Sequence, residues 1–69
     1  VKILKNKMAM KDMASEAETA RSMLVCICDE LKCDHGYLPY LRAKIDAAKK
    51  AVERIDSIAE KYEGKLDDE

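Results

Sequence analysis

The stretch Cys33-Asp34-His35-Gly36-Tyr37-Leu38-Pro39 decides the fold of this 69-residue chain. It holds the single proline and one of only two glycines, the other being Gly64. Glycine suits the left-handed residue that closes a helix, and proline suits the first turn of the next. The segment therefore reads as a break between two helices. A connection this short forces antiparallel neighbours.

Both arms carry the pattern that such a break requires. Stepping alternately by three and four residues, the first arm reads Ile3, Asn6, Met10, Met13, Ala17, Ala20, Leu24, Ile27 and Leu31. Only Asn6 interrupts the apolar series. The second arm reads Leu38, Leu41, Ile45, Ala48, Val52, Ile55, Ala59, Tyr62 and Leu66. A 3.5-residue repeat sustained over four heptads is the coiled-coil signature. With Ile3 and Leu38 as a positions, folding about Gly36 sets a against d. The expected pairs are Leu31–Leu41, Ile27–Ile45, Leu24–Ala48, Ala20–Val52, Ala17–Ile55, Met13–Ala59, Met10–Tyr62 and Asn6–Leu66. Most place a smaller residue against a larger one, as facing layers do at native density. On the flanks Lys7–Glu63 and Glu30–Lys44 attract, whereas Arg21–Lys49 repel. Exposed pairs of this kind are worth at most ~1 kcal/mol and only tune the register.

The expected fold is therefore all-α, an antiparallel two-helix hairpin with coiled-coil-like packing. Residues 1–69 form one domain: a helix over about 5–33, a turn over 34–38, a helix over about 39–64 and an acidic tail over 65–69. Composition agrees, with 39% charged residues, no Trp and no Phe, which excludes a β-sandwich or barrel. An apolar share of 48% is too rich for a disordered chain. The longest apolar run, Met23 to Cys28, is far short of a membrane span. Three cysteines, an odd number in one short region, suit reduced thiols and a cytoplasmic protein better than a disulfide framework.

A chain this small seldom sustains a core alone. Apolar residues left over beside the seam suggest how it compensates. Met23, Cys26, Ala47, Ala51 and Ile58 fall into one flanking stripe, expected to mediate self-association into a four-helix bundle homodimer or to bind a partner protein. Ala14, Val25 and Cys28 form a thinner scatter on the other flank. Tyr37, Tyr40 and Arg42 at the hairpin tip are residue types enriched at binding hot spots.

Sites of chemistry are scarce. Cys26, Glu30, Cys33 and His35 are the only candidate metal ligands, but their spacing matches no common zinc pattern, so no cofactor is expected. Two glycines cannot build a phosphate loop. The acids alternate with Lys and Arg as on a solvated helix face. A lone hairpin offers no concave pocket, so catalysis is not expected. With 13 basic and 14 acidic residues the chain is nearly neutral, which disfavours non-specific binding to phosphates. Lys2, Lys5, Lys7 and Lys11, without an acid among the first eleven residues, nevertheless offer a basic helix face for RNA or DNA. The expected function is a non-enzymatic helical interaction module: an adaptor, inhibitor or regulator. A nucleic-acid-binding dimer and, less favoured, a Cys/His metal-binding protein are the alternatives.

Overall fold

The computed structural model describes residues 3–33 and 36–63. It is an α-hairpin: α1 runs Lys7–Leu31 and α2 runs Leu38–Glu63, each packed along the other. The molecule measures 50 × 19 × 15 Å, so it is a rod two helices wide. The acidic tail, Leu66 and His35 lie outside the described residues.

Asn6 explains why α1 begins at Lys7, two residues later than the periodicity suggests. Its backbone is extended, and its side-chain oxygen accepts a hydrogen bond from the Ala9 amide at 3.0 Å. Its carbonyl accepts the first helical bond, from Met10 at 3.0 Å. Asn6 is therefore a cap that satisfies an orphan amide, and the one polar interruption in the apolar series is not a seam position. At the other end, the amides of Lys32 and Cys33 bond back to the carbonyls of Asp29 and Glu30, each at 3.2 Å, tightening the last turn.

The turn works differently from its expected form. Among the described residues no glycine has a positive φ, so Gly36 supplies no left-handed residue. Its contribution is space: a β-carbon there would sit 3.1 Å from Leu41 Cδ1. The chain then enters α2 with two bonds. The Tyr37 amide donates to Glu30 Oε2 at 2.8 Å, and the Tyr37 carbonyl accepts from the Leu41 amide at 3.0 Å. Pro39 lies in the first turn of α2, where its missing N–H costs nothing.

The seam also differs from expectation. On α1 the covered side chains are Ala9, Met13, Glu16, Ala20, Met23, Cys26, Ile27 and Glu30. On α2 they are Leu41, Lys44, Ala47, Ala48, Ala51, Ile55, Ile58, Ala59 and Tyr62. The heptad step is intact in both, and all but Cys26, Ala47 and Ala59 fall on the d and g columns instead of a and d. Each helix is turned by about 50° from the a/d arrangement, given 3.6 residues per turn. Of the expected pairs, Leu24, Leu31, Ile45 and Val52 are exposed. The physical reason is the distribution of alanine. Ala9, Ala20, Ala48 and Ala51 are all buried on the d and g columns, where small side chains let two helices approach closely. Long polar residues at g close the edge with their charges satisfied: Glu30 holds the Tyr37 amide, and Glu16 Oε1 lies 2.9 Å from Arg54 Nε on α2.

Candidate interaction surface

Turning the seam toward d and g gives the hairpin two unlike faces. In an antiparallel pair the a columns of both helices fall on one side and the c columns on the other. The c side is polar and cross-linked, with the Glu16–Arg54 pair spanning it. The a side carries Met10, Ala17, Leu24 and Leu31 from α1 and Leu38, Ile45 and Val52 from α2, all exposed. Leu24 is 57% exposed and Val52 55%, although both are large and aliphatic.

These residues shape a groove. Ala20 and Ala48 lie between the helices, and Leu24, Ile27, Ile45 and Val52 complete its apolar lining, with Lys49 and Glu53 at the rim. Leu24 and Ala20 also border a second depression on the outer side of α1, with Ala17, Val25 and Cys28. The two hollows share a wall, so the apolar surface is continuous across the face. Among the described residues no large side chain is fully buried; four of the five buried residues are alanines and the fifth is Leu41. The bulk of the aliphatic surface is thus outside the hairpin, where burial against a partner would recover ~25 cal/mol per Å².

The stripe expected to dock is turned inward. Ala51 has no exposed surface at all. Met23, Cys26, Ala47 and Ile58 are half-buried. Met23, Ala51 and Ile58 are g residues, and the shift of the seam draws that column into the hairpin. The exposed apolar surface of the hairpin therefore lies on the a column. Val25 and Cys28, the thinner scatter on the other flank, border it.

At the tip, Tyr37 and Leu38 are 62% and 67% exposed. Tyr40 and Arg42 do not join them in one cluster. Two residues apart on a helix, they point about 200° apart. Arg42 borders Ile45, Asp46 and Lys49 beside the groove. Tyr40 faces the c side, with Lys44 Nζ 5.4 Å from its ring centre. A hydrogen bond with Cys26 holds the Tyr40 phenol above its usual value of 10.0, helped by lost solvation, by the Cys26 charge and by the Glu30 and Asp29 carboxylates.

The three thiols are free and face different ways. Cys26 meets Tyr40, Cys28 borders the apolar face, and Cys33 donates a weak hydrogen bond to the Asp29 carbonyl at 3.6 Å. Among the described residues no three His, Cys, Asp or Glu side chains gather as a metal site. Glu30, a candidate ligand, spends one oxygen on the Tyr37 amide. Of the basic residues near the start, Lys5, Lys7 and Lys11 are exposed, and Lys2 lies outside the described residues. Further along, Lys50 pairs with Asp46 at 3.2 Å and Arg54 with Glu16 at 2.9 Å. No helix among the described residues is long and apolar enough to cross a membrane.

The fold and this surface define a class, the helical hairpin with one open apolar face. No family model matches the chain, and neither a curated protein nor a solved structure matches it.

Proposed function

We propose that this protein is a non-enzymatic interaction module, an adaptor, inhibitor or regulator that works by docking a helix face. The a-column face takes a second copy of the chain and closes a four-helix bundle, leaving the tips free for a partner protein. The observation that carries this reading is the exposure of Leu24 and Val52 above an alanine floor, on a hairpin whose own buried core is nearly all alanine.

Area supports it as well. A folded monomer of 7.8 kDa exposes roughly 4,400 Å², by the usual scaling of surface with mass. This chain exposes 5519 Å². Part of the excess follows from the rod-like outline. The whole excess, roughly 1,100 Å² with the shape contribution included, is of the same order as the ~800 Å² that each partner contributes to an interface of standard size. Three free thiols suit a reducing compartment such as the cytoplasm.

Sedimentation equilibrium at micromolar concentration tests the reading. The native chain should sediment as a dimer, and a variant carrying Leu24→Glu and Val52→Glu as a monomer. A native chain that stays monomeric and well folded would overturn the proposal.

A further inference from the structure

The rim of the apolar face says which way the second copy lies. Along α2, every seventh residue beside the a column is charged: Arg42, Lys49, Asp56, Glu63. All four are exposed, and the row reads plus, plus, minus, minus. Among the described residues, the ion pairs Glu18–Arg21, Asp46–Lys50 and Glu16–Arg54 use other side chains.

A row with that order is complementary to its own reverse. Resting on the homodimer reading above, we infer that the second copy is turned end over end, so that α2 lies antiparallel against α2 of the partner subunit. Lys49 then meets the partner subunit's Asp56, and Arg42 meets the partner subunit's Glu63. Symmetry makes each pair twice. The two-fold axis crosses the face beside Val52, so Val52 packs on its own copy. The a columns interlock on the same register: Ile45 falls against the partner subunit's Ala59 and Leu24 against the partner subunit's Met10, while Ala17 meets its copy.

The other two-fold arrangement keeps both tips at one end and sets α1 against α2 of the partner. Heights along the rod are then shared between subunits. Because Glu16 is level with Arg54, Arg21 is level with Lys49. Lys7 is likewise level with Glu63, so that arrangement sets one repulsive pair against one attractive pair, each twice, with no net gain across the rim, whereas the end-over-end arrangement makes only attractive pairs there. Rim charges add little to the strength of an interface, but they select its orientation. The end-over-end dimer carries its two Tyr37–Leu38 tips to opposite ends, roughly 45 Å apart at 1.5 Å rise per residue. A partner recognised by the tip would be bound at both ends of one rod.

Two measurements on the full chain test the orientation. Lys49→Glu should weaken the dimer about tenfold by sedimentation, and adding Asp56→Lys should restore it. In the tips-together arrangement Lys49→Glu relieves a repulsion, so a tighter or unchanged dimer overturns the inference. Independently, Val52→Cys in a chain with Cys26→Ala, Cys28→Ser and Cys33→Ser should form a covalent dimer with itself on oxidation. Cross-linking of Val52→Cys only when mixed with Ala17→Cys overturns it. If the unoxidised chains sediment as monomers, the failure belongs to the homodimer reading itself.

Discussion

Arg54 on α2 reaches Glu16 on α1 at 2.9 Å, and this contact marks the side of the hairpin that is closed. The Glu16 side chain is the more covered of the two, at 27% exposure against 51%. It sits in the g column that the alanines draw into the seam. The pair lies across the c side, and the a side stays open.

A double-mutant cycle on Glu16→Ala and Arg54→Ala measures that contact. The pair is partly solvated, so its coupling should be below ~1 kcal/mol and shrink further in high salt. A coupling of zero at low salt would remove Glu16–Arg54 as a determinant of the seam.

Ala51 should tolerate enlargement badly. It is fully buried between the helices, and Ala51→Leu should destabilise the fold by about 1–3 kcal/mol in chemical denaturation. A harmless Ala51→Leu would mean that the g column faces solvent and that the seam is the a/d one.

Asn6→Ala removes the oxygen that receives the Ala9 amide. A loss of about 1 kcal/mol is expected, with fraying confined to the first turn of α1 in amide exchange. Asn6→Asp should retain the cap.

Gly36→Ala separates two accounts of the turn. With no positive φ to lose, the substitution is tolerated within about 1 kcal/mol, provided that the end of the Leu41 side chain gives way at 3.1 Å. A left-handed glycine would lose clearly more. Equilibrium unfolding decides between them.

Tyr40 supplies a pH signature. Its hydrogen bond to Cys26 raises the phenol above 10.0 in the folded chain, so the folded state keeps the proton that the unfolded state releases. The stabilisation is complete below pH 10 and is lost as pH rises through the folded value. Ultraviolet titration of Tyr40 should shift back toward 10.0 in Cys26→Ala. An unchanged titration would show that Cys26 does not set it.

Much of this was legible in the residues. Gly36 and Pro39 punctuate the chain, and the 3.5-residue period on both sides dictates two antiparallel helices. Asn6 was legible too, as a cap type at a helix start, but its place in the apolar series disguised it. Which apolar column stays exposed was not legible, because Met23, Cys26, Ala47, Ala51 and Ile58 and the row through Leu24 and Val52 are equally apolar neighbours on the same helices.

By itself the sequence determined the period, the break and the antiparallel pairing, since each follows from local geometry and backbone chemistry. It left three apolar columns, a, d and g, within one arc of each helix. Only the tertiary structure decided which two close on each other. A rotation of about 50° exchanges one choice for another at no cost to the helices. The outcome rests on close approach of Ala9, Ala20, Ala48 and Ala51 and on the Glu16–Arg54 contact, both of which exist only once α1 and α2 are side by side.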